Sequence, residues 1–273
     1  MSDQAQNSVQ NGTPSEVPPP QPTPDDAREA LADRLEARFD APRLTPALVL
    51  LLAVIHVAVG VFRASRGATT LGWALAGPRG ARLLARMGGM KTSRLDKGEL
   101  WRLVSAVFLH TDLIHLSLNL VGLFLVGRLI EAIFGRVRLF FIFLASGVLG
   151  AACSWLVVRT PLSVGASGGI YGLLGAALVF VLRHGDELPD DVRQHLRKQL
   201  LLAIALNLPI GFVLPVIDQA AHIGGLVGGA VLGAVMGDGV TETARGHRLA
   251  TAGMALVSIL WVAAAVFGLL GTV

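Results

Sequence analysis

The sequence predicts an all-α polytopic membrane protein. Its 273 residues have a mean hydropathy of +0.62, with 53% hydrophobic and only 15% charged residues, which is far from the composition of soluble domains. Seven apolar runs are each long enough, or nearly long enough, to cross a bilayer. We place these runs at about residues 46–63, 112–134, 138–158, 167–183, 199–216, 219–237 and 249–271.

The segment before the first run has two parts. Residues 1 to about 25 are rich in Pro, Ser, Gln and Asn, and this composition predicts a disordered tail. After it, Leu31, Leu35 and Phe39 recur every four residues among charged side chains. This period indicates a short amphipathic helix lying just before the membrane.

A long connection of about fifty residues separates the first two runs. Within it, Arg79, Arg82 and Arg86 fall on one helical face, which is typical of a segment lying in the membrane interface. We therefore expect these arginines to reach lipid headgroups. His56 lies in the first run without a visible partner, and we interpret it as a hydrogen-bonded or interface-facing histidine rather than a ligand.

The distribution of basic residues predicts the orientation and argues against nucleic-acid binding. The net charge is +4, but the basic residues cluster at the ends of apolar runs, where arginine anchors helices to headgroups. Counts of Lys and Arg in the short loops place the amino terminus in the cytoplasm, although the long first loop disagrees. The sequence opens without a signal peptide, and we expect a bacterial plasma membrane. The single cysteine, Cys153, excludes an intrachain disulfide.

A serine surrounded by glycines opens the fourth run, in the stretch from Gly165 to Gly172. We interpret Ser167 as a nucleophile, because small neighbours let a substrate backbone approach and the first N–H groups of the helix can hold an oxyanion. The alternative is a glycine-rich packing seam between membrane helices. The stretch also matches G-x-S-x-G, the nucleophile elbow of α/β-hydrolases. That motif requires a soluble parallel sheet, which these apolar runs cannot form.

The sixth run carries a histidine on a smooth helix face. His222, Gly225 and Gly229 share this face at positions i, i+3 and i+7, which permits close approach of another helix. Docking against a matching stripe on the fourth run would bring His222 toward Ser167. We interpret Asp218 first as a helix cap and only weakly as a third catalytic residue. The matching stripe consists of Gly168, Gly172 and Gly175.

Two further polar sites belong to the same candidate constellation. His115 and Asn119 occupy positions i and i+4 in the second run, so both point into the helix bundle from one face. They could instead bond each other or a neighbouring carbonyl. Tyr171 lies one turn below Ser167, where its ring could support the imidazole of His222 or simply pack.

The sequence lacks the residues that metal-dependent and aspartyl intramembrane proteases require. It contains no His-Glu-x-x-His, and His110 with His115 has neither that spacing nor the glutamate. No pair of aspartates lies within an apolar run, which excludes an aspartyl dyad. We predict neither a metal nor a cofactor.

Four motifs in register resemble those of the rhomboid family of intramembrane serine proteases. The resemblance covers about residues 46–237. The motifs are G-x-S-G at Gly165–Gly168, A-H-x-x-G at Ala221–Gly225, H-x-x-x-N at His115–Asn119, and Glu99–Arg102 running into Phe108–His110.

The resemblance implies a six-helix rhomboid core plus a seventh, C-terminal transmembrane helix. The chain would then divide into a cytoplasmic tail with a short helix (1–45), the protease core (46–237) with its long interfacial first loop (63–111), and a loop with the additional helix (238–273). The substrates would be transmembrane proteins whose helices unwind locally, because a helical peptide bond is shielded.

The resemblance also implies roles for individual residues. Ser167 would attack a peptide carbonyl, and His222 would act as general base and then general acid. The oxyanion would be stabilised by His115, Asn119 and the Ser167 backbone N–H, with Gly168 providing the geometry for this stabilisation. The segment between the fifth and sixth runs would cover the site as a lid. Supporting positions would be Gly165, Tyr171 and Gly225, with Trp101 and Arg102 holding the first loop in the membrane interface.

Two other functions remain open at this point. A catalytically inactive relative would bind membrane clients and guide them, but the sequence retains both members of the Ser167 and His222 dyad. A transporter using buried histidines as a proton relay would require inverted repeats or charged residues at mid-span, and we find neither in the sequence.

Overall fold

A computed structural model describes residues 23–67, 70–213, 217–236 and 244–271 of the chain. Residues 1–22 of the predicted disordered tail (1 to about 25) lie outside this part, and so do residues 214–216 at the end of the predicted fifth run. The described residues form twelve α-helices and one two-stranded antiparallel sheet. The helices are α1 (Pro24–Asp40), α2 (Leu44–Ser65), α3 (Leu71–Ala76), α4 (Ala81–Arg86), α5 (Thr92–Leu95), α6 (Arg102–Ser105), α7 (Leu113–Phe134), α8 (Arg136–Cys153), α9 (Ser167–His184), α10 (Asp190–Val213), α11 (Gln219–Val235) and α12 (Ala244–Leu270).

Each predicted apolar run coincides with a helix, and the predicted fold class is confirmed. Among the described residues, six helical segments are long and apolar enough to cross a membrane. The seventh, α11, is apolar but only 17 residues long. The fifth run was predicted to begin near residue 199, but its helix α10 begins at Asp190 and adds a polar first half.

The core of the bundle is formed by α8, α9 and α11, which pack closely on one another. Glycines make this approach possible: a Cβ on Gly150 of α8 would be 2.4 Å from the Ala221 carbonyl oxygen of α11. A Cβ on Gly169 of α9 would be 2.6 Å from the carbonyl oxygen of Phe143 in α8. Backbones therefore meet where side chains would otherwise separate the helices.

The amino-terminal helices attach to α7. The free N–H groups at the start of α2 are satisfied by Glu131 of α7, which accepts hydrogen bonds from the backbones of Arg43, Leu44 and Thr45 at 2.8 to 2.9 Å. The predicted helix before the membrane is α1, and it packs on α7 through the buried Leu31.

The first loop is organised from inside by Arg102. This side chain is only 2% exposed; it bonds Glu99 at 2.7 Å and the carbonyl of Gly89 at 3.2 Å, and its guanidinium lies over the Trp101 ring. These contacts hold segments of the first loop together. The loop is further tied by the sheet pairing β1 (Met90–Lys91) with β2 (Leu162–Ser163). Trp101 instead faces α12, against the backbone of Gly268.

The prediction for Arg79 was wrong. Arg82 and Arg86 are exposed, but Arg79 is buried, 5% exposed. Its guanidinium contacts the His56 ring at about 3 Å and donates to the His56 carbonyl at 2.9 Å. A guanidinium this far from water needs such acceptors, so Arg79 connects the first loop to α2. His56 is hydrogen-bonded, as expected.

Candidate active site

Ser167 is the first residue of α9, two residues after a glycine with a positive φ. Gly165 has φ +131°, a conformation that L residues rarely adopt, and its N–H donates to the Ala106 carbonyl at 3.0 Å. This turn orients the start of α9, where the first N–H groups lack intrahelical partners. Ser167 therefore lies beside unpaired backbone donors of its own helix.

His222 lies one turn into α11, after the cap formed by Asp218. The Asp218 carboxylate accepts from the Ala221 N–H at 3.1 Å and from the Ser154 hydroxyl at 2.5 Å. Asp218 is thus a helix cap, as we interpreted it first. Its carboxylate makes no hydrogen bond to the His222 ring, and Nδ1 of that ring is buried without a hydrogen-bond partner in the described part of the chain.

The Ser167 hydroxyl and the His222 ring are joined by a hydrogen bond, with Oγ and Nε2 2.8 Å apart. Fifty-five residues separate them in the sequence, and the glycine stripes of α9 and α11 bring them together. A Cβ on Gly229 would be 1.9 Å from the Gly172 carbonyl oxygen. The predicted docking of the two stripes is confirmed.

Tyr171 stacks on the His222 ring. The ring centroids are 4.4 Å apart and the planes differ by 25°. Tyr171 is one turn from Ser167 on α9, so a single helix holds both the hydroxyl and the aromatic platform for the imidazole. This contact restricts rotation of the His222 ring out of the hydrogen bond.

The His115 ring lies beside Gly165. A Cβ on Gly165 would be 2.8 Å from His115 Nε2 and 3.8 Å from Ser167 Oγ, so the space between those two groups is open only because residue 165 is glycine. Asn119 is buried, 5% exposed, and its side-chain nitrogen donates to the His115 carbonyl at 2.8 Å. One N–H of that amide remains for another acceptor.

Sequence reasoning missed the two residues that precede α7. The Asp112 carboxylate caps α7 by accepting from the His115 N–H at 2.8 Å, and Thr111 places its hydroxyl 2.8 Å from Asp112 Oδ2 and 3.0 Å from His115 Nδ1. An aspartate three residues before the histidine is an N-cap signal that could have been recognised. Partial burial opposes ionisation, but these hydrogen bonds lower the pKa of Asp112 below its usual value.

His110 is a buried neighbour of this group. Its ring lies edge-on to the His115 ring, with centroids 5.2 Å apart. Burial, reinforced by the positive charge of nearby groups, lowers the pKa of His110 to about 3, so this ring is neutral at neutral pH. Among the residues with described side chains, no group of three or more His, Cys, Asp or Glu is placed to hold a metal ion.

The fold and this constellation define a class: a helical membrane protein with a hydrogen-bonded serine and histidine between two closely packed helices. The family model described as "Rhomboid domain" matches residues 97–239, more than half of the chain. The chain belongs to the rhomboid family.

Several rhomboid proteins are similar in sequence to about half of this chain. "Rhomboid protease GluP" of Bacillus subtilis is 35% identical over 53% of this chain and 27% of its own. "RHOMBOID-like protein 4" of Arabidopsis thaliana is 39% identical over 52% of this chain and 36% of its own. "Inactive RHOMBOID-like protein 8" of Arabidopsis thaliana is 33% identical over 54% of this chain and 41% of its own. The chain spans less than half the length of these relatives.

The relatives do not indicate in which cellular membrane this protein lies. They come from a bacterium and a plant, and one plant relative is named as mitochondrial. The chain is an integral membrane protein by its apolar helices and its family. Its predicted bacterial plasma membrane and cytoplasmic amino terminus stay predictions.

Proposed function

We propose that this protein is an intramembrane serine endopeptidase that hydrolyses peptide bonds in or near transmembrane segments of other proteins. The observation that carries the proposal is the 2.8 Å hydrogen bond between Ser167 Oγ and His222 Nε2. A hydroxyl is a weak nucleophile until a base accepts its proton, and an imidazole within hydrogen-bond reach is such a base. Membership of a family with a named protease supports the same function.

The reaction follows from the two side chains. Ser167 Oγ bonds to the peptide carbonyl carbon while its proton passes to His222 Nε2, and His222 then gives this proton to the departing amine. Water attacks the resulting ester with the same imidazole as base, which releases the new carboxylate and restores Ser167. No aspartate is required, because the Tyr171 ring orients His222 in the place of a third residue.

The negative charge that develops on the carbonyl oxygen requires donors. In this proposal the donors are backbone N–H groups at Ser167 and Gly168, the side chain of His115, which lies beside Gly165, and the second N–H of the Asn119 amide. Gly165 keeps the region between His115 and Ser167 open.

The proposed substrates are transmembrane proteins, and the lipid bilayer is the medium. A peptide bond inside a helix has its carbonyl hydrogen-bonded, so the cleaved segment has to unwind before Ser167 can reach it. Substrates with small or helix-weakening residues near the cleaved bond are therefore expected.

Two substitutions and a probe test the proposal. The Ser167→Ala and His222→Ala proteins should not cleave a model single-span substrate in liposomes, and both should lose labelling by a fluorophosphonate. Ser117→Ala, which removes an exposed serine hydroxyl from α7, is the matched control and should retain both activities. Cleavage by the Ser167→Ala protein at the wild-type rate would refute the proposal.

The alternative is a catalytically inactive membrane protein that binds client proteins and guides them. The specific observation in its favour is the relative that is named inactive. It predicts that the wild-type protein takes up no fluorophosphonate and cleaves nothing, while clients still copurify with the Ser167→Ala protein as they do with the wild type.

A further inference from the structure

The Thr111 hydroxyl determines where one proton of His115 lies. Thr111 Oγ1 is 2.8 Å from Asp112 Oδ2 and 3.0 Å from His115 Nδ1. A hydroxyl has a single hydrogen, and an ionised carboxylate can only accept. The hydrogen of Thr111 must therefore point to Asp112, so Thr111 can only accept from His115. It follows that His115 Nδ1 carries a hydrogen.

This assignment changes what His115 can do at the site. Nε2 is the ring nitrogen that lies next to Gly165, on the side of Ser167. In a neutral ring with its hydrogen on Nδ1, Nε2 has a lone pair and cannot donate. A hydrogen bond from Nε2 to an oxyanion requires the doubly protonated ring.

We propose that His115 stabilises the oxyanion as an imidazolium, and that Thr111 and Asp112 are the positioning residues that hold it in this form. The inference rests on the proposed protease function and deepens it. A donor that carries a charge makes a hydrogen bond roughly twice as strong as a neutral one. The carboxylate of Asp112 balances the imidazolium through the Thr111 hydroxyl.

The other titratable and charged groups near His115 come from the first loop, α2 and α11. His110, edge-on to the His115 ring, is neutral at neutral pH. His222 of α11 has to be neutral in its role as base. Arg79 is a cation that donates to the carbonyl of His56 in α2 at 2.9 Å. The backbone N–H of Arg79 donates to the Thr111 carbonyl at 2.7 Å, so this arginine also fixes the backbone that presents the Thr111 hydroxyl.

Steady-state cleavage of a model transmembrane substrate by purified Thr111 variants is the first test. Thr111→Val keeps the shape but removes the acceptor for Nδ1, and it should lower kcat about tenfold or more with little change in KM. Thr111→Ser restores the hydroxyl and should restore most of kcat. Thr92→Val, which removes a hydroxyl bonded to the Thr160 carbonyl elsewhere in the first loop, is the matched control.

The pH profile is the second test, and it uses a variant that keeps the helix cap. The wild type should show a bell-shaped profile, rising as His222 loses its proton and falling as His115 loses its own. Asn also caps helices, so Asp112→Asn should fold, but it lacks the negative charge. Its falling limb should therefore move to lower pH by about one unit.

The outcomes separate the inference from the function on which it rests. If the wild type cleaves and is labelled at Ser167, but Thr111→Val keeps the wild-type kcat or Asp112→Asn keeps the falling limb in place, the imidazolium assignment is overturned alone. A wild type without Ser167-dependent cleavage overturns the proposed function and this inference with it.

Discussion

Gly225 of α11 lies against the backbone of Gly168 in α9, so closely that a Cβ on Gly225 would be 2.1 Å from the Gly168 carbonyl oxygen. Gly168 follows Ser167, and Gly225 is three residues after His222. The contact therefore sets the separation of the two helices at the level of the hydrogen bond between Ser167 and His222.

The first prediction concerns this contact. Gly225→Ala should push α11 away from α9, lower the free energy of unfolding by about 1–3 kcal/mol and abolish fluorophosphonate labelling of Ser167. Thermal unfolding in detergent and the labelling rate measure the two effects. Gly253→Ala is the control, because a Cβ there meets open space on α12. Equal effects of the two substitutions would show that the close approach is unimportant.

The second prediction concerns the platform under the imidazole. Tyr171→Ala removes a ring that stacks on His222 with centroids 4.4 Å apart, and we expect kcat to fall about two- to tenfold, because such pairs are worth about 0.5–1.5 kcal/mol. Tyr171→Phe keeps the ring and should keep most of kcat. A Phe variant as slow as the Ala variant would mean that the hydroxyl, not the stacking, is what matters.

The third prediction concerns the buried arginine of the first loop. Arg79→Gln leaves the buried carbonyls of His56 and His110 without their donor, and the free energy of unfolding should fall by roughly 2–4 kcal/mol. Thermal unfolding compares it with Arg82→Gln, which changes an exposed arginine of the same loop. Similar stability of the two variants would contradict the structural role of Arg79.

The fourth prediction concerns pH and the attachment of the first loop to the end of α8. Asp96 accepts two hydrogen bonds from Arg159, at 2.9 and 2.6 Å, and one from Trp155 at 2.9 Å, and these lower its pKa below the usual value. Stability from this carboxylate is therefore present above the pKa of the unfolded chain, about 3.9, and is lost as pH falls through the lower pKa of the folded state.

The measurement for Asp96 is thermal unfolding of the wild type and Asp96→Asn across pH. We expect the variant to unfold at a lower temperature at pH 7, with the difference shrinking as the medium becomes more acid than the folded-state pKa. Asp33→Asn, at an exposed position of α1, provides the comparison. A difference that stays constant with pH would show that the charge of Asp96 does not stabilise the loop.

Much of the site could be predicted because its signals are local. The smooth faces of α9 and α11 follow from glycines at helical spacing, and those faces were sufficient to predict that His222 approaches Ser167. The cap at Asp218 was recognisable from its place before an apolar helix. The positions of the apolar runs matched helices because a membrane span needs a minimum apolar length.

Other features could not be predicted because they depend on contacts between distant segments. Arg79 has the appearance of an interfacial arginine in the sequence, yet it finds its acceptors on α2 and before α7. Arg102 was expected to hold the first loop in the interface, and it does hold the loop, but from a buried position. The helical face on which a side chain lies does not show which distant segment will pack over that side chain.

The sequence by itself determined the class of protein, its spans and the serine and histidine, since each depends on hydropathy, helical period or short motifs. Only the tertiary structure decided the 2.8 Å distance between Ser167 and His222 and the 3.0 Å distance between Thr111 and His115. The physical reason is that hydrogen bonds require atoms within about 3 Å, with defined donors and acceptors. Those atoms come together only when the first loop, α7, α9 and α11 pack in three dimensions.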